Sequence, residues 1–141
     1  MKKSILATAL LLIAATAAFS QTGEVGPIRS SAAYSEVLLR KTQVQADLEA
    51  FLADYTEANP KIIDLRTELA AINKSLEKIY AVKPTETGKL TLALGRLIVQ
   101  QATLQTDLAR LLRSYSNDHA EVKRARRKVE IFDAAINEIL R

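Results

Sequence analysis

When the sequence is shifted against itself by 60 residues, residues 34–80 align with 94–140 without a gap. Identical pairs are few, among them Gln45/Gln105, Leu48/Leu108, Tyr55/Tyr115 and Arg66/Arg126. The agreement in pattern is much stronger. Tyr34, Val37, Lys41, Val44, Leu48, Phe51 and Tyr55 follow one another at alternating spacings of three and four, and so do Leu94, Leu97, Gln101, Leu104, Leu108, Leu111 and Tyr115. That spacing places each set on one stripe of a helix. A second stripe follows in each copy: Ile62, Leu65, Leu69, Ile72, Leu76 and Ile79, then Val122, Ala125, Val129, Phe132, Ile136 and Ile139. Spacing of this kind builds a coiled coil or an antiparallel helical pair. An alternating, strand-like pattern is absent.

The breaks coincide as well. In the first copy the pattern stops at Tyr55-Thr-Glu-Ala-Asn59-Pro60. Proline lacks an amide hydrogen and drives the preceding residue out of the helical region. It is tolerated at a first helical position, with Asn as a cap before it. In the second copy the break is Tyr115-Ser-Asn-Asp118-His119, where Asp118 with Glu121 reads as a capping box. Each copy is thus helix, tight turn, helix, and the short turn makes the two helices antiparallel. The expected helices span 31–57, 60–80, 88–115 and 118–140. The expected fold is all-α: two tandem antiparallel, coiled-coil-like hairpins, 31–80 and 88–141, joined by a linker at 81–87. The two hairpins cover each other as a four-helix bundle, or each recruits another subunit; the bundle is favoured.

Both long stripes turn polar at the same place, Lys41 and Gln45 against Gln101 and Gln105. Such a layer either fixes register or lies at a solvated edge.

Residues 1–20 are of another kind. Lys2 and Lys3 precede an apolar run from Ile5 to Ala15, and Ala18-Phe19-Ser20 supplies small residues ahead of Gln21. This is the layout of a cleaved secretory signal. Residues 21–30 read as a flexible N-terminal segment. A spanning helix needs about 20 apolar residues, which no later stretch provides. The expected location is the periplasm or the medium, with no transmembrane segment in the mature chain. There is no Cys, which excludes disulfides and thiolate metal sites. The halves differ in charge: residues 21–87 carry 8 basic and 10 acidic side chains, and residues 88–141 carry 10 and 6.

The segments from Tyr55 to Ile62 and from Tyr115 to Val122 are halves of one pattern: Tyr, Ser or Thr, two variable residues, His, Pro, one variable residue, Val or Ile. With the heptad helix behind it, this resembles the periplasmic coiled-coil hairpin of the polysaccharide chain-length determinant (co-polymerase) proteins, here duplicated and without their membrane anchors. Asn59 stands where that pattern has His, and Ala120 where it has Pro. The resemblance covers roughly 45 residues of each copy. It implies the helical hairpin and a link to polysaccharide assembly or export.

Residue chemistry points away from catalysis. His119 is the sole histidine, and with Ser116, Asp118 and Glu121 it lies in one turn. A catalytic triad needs groups converging from separate elements, and a zinc site needs three or four ligands. Capping explains these residues instead. No metal and no cofactor are expected. Lys123, Arg124, Arg126, Arg127 and Lys128 form the densest charge cluster. It is either a solvated helix back or a patch for an anionic partner such as acidic polysaccharide or an anionic envelope surface. Nucleic acid is not expected, since no aromatic side chains alternate with the cluster. Tyr55 and Tyr115 are expected to pack over their turns, with an exposed contact site at the tip as the alternative. The expected function is a non-enzymatic, exported interaction or structural protein of the cell envelope, acting through a protein partner or self-association along its helical stripes. The alternative is a periplasmic holdase chaperone of the small basic coiled-coil kind.

Overall fold

The computed structural model describes residues 26–141. The leader assigned to residues 1–20 lies outside them. Five helices follow: α1 Gly26–Arg29, α2 Ala32–Asp54, α3 Pro60–Tyr80, α4 Leu92–Leu112 and α5 Ala120–Leu140. A 3-10 segment, Pro84–Lys89, joins the two hairpins. The described residues contain no strand, and the helices pack into a bundle of two tandem hairpins.

The repeat extends to the hydrogen bonds that start each helix. The Ser31 hydroxyl accepts from the Tyr34 amide at 3.2 Å, and 60 residues on, the Thr91 hydroxyl accepts from Leu94 at 3.3 Å. The Asn59 Oδ1 accepts from the Lys61 amide at 2.8 Å, and His119 Nδ1 accepts from Glu121 at 3.2 Å. These caps satisfy amides that have no partner within the helix. The cap of α5 is therefore His119 and not Asp118. Starting α5 at Ala120 keeps it in register with Pro60, and Asp118 instead faces Lys123 at 3.5 Å.

The long helices are shorter than the stripes suggest. The α2 helix ends at Asp54, because Tyr55 is already extended at φ −130°, ψ 156°. The α4 helix starts at Leu92 because the 3-10 segment takes up residues 84–89 and Thr91 supplies the cap. Residues 26–30, expected within a flexible segment, contain a helical turn that sends Ile28 into the core at 4% exposure. The apolar side chain anchors that turn.

Core residues come from both stripes of both copies. Val37, Val44, Ile72, Ile79, Leu94 and Ile98 are buried, with Leu48 packed against them. Helix α4 is central: it packs on α2, α3 and α5, whereas α2 and α5 share no comparable interface. Gly95 sets how near α2 and α4 lie. A Cβ there would stand 2.8 Å from Glu36 Cβ and 3.0 Å from Ala33 Cα. At the base of the bundle, the Ala33 amide donates to the Leu90 carbonyl at 3.2 Å, and the Tyr34 and Tyr80 rings lie 5.9 Å apart.

The polar layer resolves differently in the two copies. Gln45 is exposed and Lys41 half-buried, the solvated edge. Gln101 is buried, and its Nε2 donates to Asp133 Oδ1 at 2.9 Å. Asp133 also faces Lys78 at 3.3 Å, so this polar group joins α3, α4 and α5.

Candidate interaction surfaces

Both turns lie at one end of the bundle and are built bond for bond alike. The Asn59 amide donates to the Thr56 carbonyl and the His119 amide to the Ser116 carbonyl. Arg66 Nη2 then reaches back to Glu57 Oε1 at 2.6 Å, while Arg126 Nη2 reaches Asn117 Oδ1 at 2.8 Å. These positions also differ by 60. The one arginine identical in both copies is the brace of the turn.

Tyr55 and Tyr115 do not close over the turns. They are 54% and 46% exposed. Each ring lies along a neighbour instead, Tyr55 on Phe51 with centroids 5.7 Å apart and Tyr115 on His119 at 4.2 Å. The residues before and after each Tyr are exposed, so nothing lies over the tip for the ring to cover. Pro60, too, is exposed. The turn residues thus form a polar tip carrying two half-open aromatic rings.

The basic cluster is spread around α5. Arg126 is committed to the turn, Arg124 pairs with Glu121, and Arg127 meets Glu130 at 3.3 Å. Lys123 faces Asp118. Lys128 has no carboxylate partner among the described residues. Neighbouring acids therefore offset most of the cluster's charge.

Sequence reading did not single out the acids buried against α4 and α2. Asp64 is 8% exposed and accepts from Arg113 Nη2 at 2.6 Å and from Arg110 Nε at 2.9 Å, tying α3 to the end of α4. Burial pushes its carboxyl up, but the hydrogen bonds and charge of Arg113 and Arg110 outweigh that and hold it below the usual carboxylate range. The same contact raises Arg110. Glu68, also buried, accepts from Arg40 Nε on α2 at 2.6 Å. One signal was available: Asp64 and Glu68 stand four residues apart, on the flank of the apolar stripe.

The other feature is an open groove along α4 and α5. Leu92, Ala93, Arg96, Leu97 and Gln100 line its lower part with Phe132 from α5. Towards the tip a second hollow on the same two helices is lined by Leu104, Leu111 and Ala125 with Asp107, Glu121, Arg124 and Lys128. The floor is apolar in both hollows, and the rim mixes Arg96, Arg124 and Lys128 with Asp107 and Glu121. Among the described residues no group of three or more His, Asp and Glu side chains could hold a metal ion, and no helix is long and apolar enough to cross a membrane. Compared with known proteins, the chain matches no family model, no curated protein and no solved structure.

Proposed function

We propose that this protein acts by binding rather than by catalysis, as an exported helical interaction module of the cell envelope that holds a partner along the α4–α5 groove. The observation that carries this reading is the groove itself: Leu92, Leu97 and Phe132 line one open hollow with Arg96, and Leu104, Leu111 and Ala125 line the next with charges of both signs. Apolar floors rimmed by polar groups are how helical scaffolds receive other helices or amphipathic chains. The leader-like residues 1–20 support export. The turn pattern shared with co-polymerase hairpins supports an association with polysaccharide assembly or export.

The test is retention of the protein by the envelope fraction of the cells that make it. Retention is expected to weaken with salt and to be lost in Ala93→Arg, which puts a charged side chain into the groove from an exposed position. Unchanged retention in that variant removes the groove reading. For the polysaccharide association, deletion of the gene should shift the length distribution of surface polysaccharide, and an unaltered distribution removes that part.

A second reading, a holdase for unfolded envelope proteins, draws on exposed apolar side chains such as Leu39, Leu92 and Ile131. Suppression of the aggregation of an unfolded outer-membrane protein at equimolar ratio supports it. No suppression ends it.

A further inference from the structure

Hairpin 1, α2 with α3, already receives a helix in the way hairpin 2 is poised to. Helix α4 lies against both α2 and α3. Its Gly95 sits over Ala33 and Glu36, and its Arg110 and Arg113 close on Asp64. Shifting this accepting face by 60 residues gives the open groove of hairpin 2. Ala33 and Glu36 become Ala93 and Arg96, Ile72 becomes Phe132, and Asp64 and Glu68 become Arg124 and Lys128. All five of these counterparts line the groove. Among the described residues the accepting face is thus present twice and filled once.

The docking face is present twice as well. In α4 it runs through Gly95, Ile98, Ala102 and Thr106, all buried. Its counterparts on α2 are Ser35, Leu38, Thr42 and Ala46, all exposed. Leu39 beside them is 57% exposed. Small residues there allow close approach of another helix, as Gly95 does inside the chain. Among the described residues one flank of the bundle therefore carries an uncovered docking face and another an uncovered accepting face.

The charges at matched positions of the accepting face change sign between the copies. The filled accepting face carries Glu36, Asp64 and Glu68; Asp64 meets Arg110 and Arg113 of α4, while Glu68 pairs with Arg40 of α2. The open one has Arg96, Arg124 and Lys128 at these three positions, and its lining also holds Asp107 and Glu121, the latter paired with Arg124. On α2 the counterparts of Arg110 and Arg113 are Ala50 and Ala53, flanked by exposed Glu49 and Asp54. Glu49 and Asp54 are opposite in sign to Arg124 and Lys128, near which this end of α2 would lie.

We infer that the occupant of the α4–α5 groove is α2 of a second copy of this chain, so that molecules stack head to tail and continue the packing of hairpin 2 on hairpin 1. This rests on the groove being the binding surface proposed above. Such a contact uses two different faces, so it propagates into chains or closes into rings, unlike a two-fold dimer. Inside the molecule the linker holds the hairpins together; between molecules that help is absent, so assembly depends on concentration.

The experiment uses the protein in the form that accumulates in producing cells, followed by sedimentation velocity over a roughly hundredfold concentration range. The mass is expected to rise with concentration and to fall with added salt. Ala46→Arg blocks the docking face and Ala93→Arg the accepting face; both positions are exposed, and circular dichroism melts should stay at the parent value. Each variant alone is expected to remain a monomer. An equimolar mixture is expected to form a dimer and stop there, because each partner retains one working face. A monomer at every concentration overturns the inference, as does an assembly that survives either substitution or a mixture that does not recover. If the parent is monomeric while Ala93→Arg still loses envelope retention, self-stacking falls and the groove reading stands. If Ala93→Arg changes neither measurement, both fall.

Discussion

Hairpin 1 and hairpin 2 share a turn, a register and a set of caps, but not a pattern of burial. On α3, Ile72 is fully enclosed because α2 lies on one side and α4 on the other. On α5, the matching Phe132 packs mainly against α4 and lines the open groove. Ile62 and Val122, next to the turns, are both at 0% exposure, so the difference does not come from the hairpins themselves. What each copy specifies is a hairpin; how deeply its stripe is buried depends on whether another hairpin follows. The largest test of this contrast is truncation at the two matched core positions. Ile72→Ala is expected to cost about 2–5 kcal/mol. Phe132→Ala, measured at low protein concentration, should cost about 1–2 kcal/mol, since a half-buried ring has less to lose. Urea denaturation of the two variants reads both values, and equal costs would mean that the α5 stripe is enclosed in solution.

Gly95 and Ser35 sharpen the comparison on the long helices. A methyl group at residue 95 would run into Glu36 Cβ and the Ala33 backbone, and backbone does not yield easily. Gly95→Ala gains up to about 1 kcal/mol of helix propensity but forces α4 off α2, a change of about 1–3 kcal/mol in the other direction. Net destabilisation is expected. Ser35→Ala sits on the exposed counterpart face and should stay within about 0.5 kcal/mol. Thermal melts of both decide it, and a stabilised Gly95→Ala would show that the helices are not in close contact there.

The third contrast is electrostatic. Asp64 is tied to Arg113 and Arg110, while its counterpart Arg124 pairs at the surface with Glu121. Both arginines facing Asp64 keep water contact, so Asp64→Asn should cost only about 1–2 kcal/mol. Arg124→Gln should stay within about 0.5 kcal/mol. The Asp64 carboxyl is held below its unfolded value of 3.8. Its contribution is therefore present in full above that pH and is lost as pH falls through the lower, folded value. Acid titration of stability should be shallower below pH 3.8 in Asp64→Asn than in the parent. Identical profiles would mean that the arginines do not hold Asp64 in solution.

These contrasts also mark what the sequence could and could not reveal. Helix positions, turns and antiparallel pairing were legible because three-four spacing and Pro60 act locally and twice. Burial was not, since Leu65 and Ala125, or Ile72 and Phe132, occupy the same place in the pattern and differ only in what lies across from them. Asp64 and Glu68 did not stand out, because their partners Arg110, Arg113 and Arg40 belong to other helices. The α5 cap was placed one residue early for a related reason. Asp118 with Glu121 fits a local motif, but the turn is held in register by Arg126 and by the Tyr115 ring on His119. The groove required both copies at once: its residues stand out only when set against those α4 covers in hairpin 1.

The turn brace is where the two copies should behave alike, and it gives the smallest effect. Arg66 reaches Glu57 and Arg126 reaches Asn117, each across nine residues and each at the surface. Removing either guanidinium by substitution to Ala should cost about 0.2–1 kcal/mol, as for other exposed pairs. The Arg66–Glu57 contact joins opposite charges, whereas Arg126–Asn117 joins a charge to a neutral amide. Added salt should therefore narrow the cost at Arg66 and leave that at Arg126 nearly unchanged. Matched costs at high salt would show one hydrogen-bonded brace beneath two different electrostatic decorations, which is what the bond-for-bond agreement of the turns requires. A large cost at only one of the two would show that the turns are held by different means despite their common geometry.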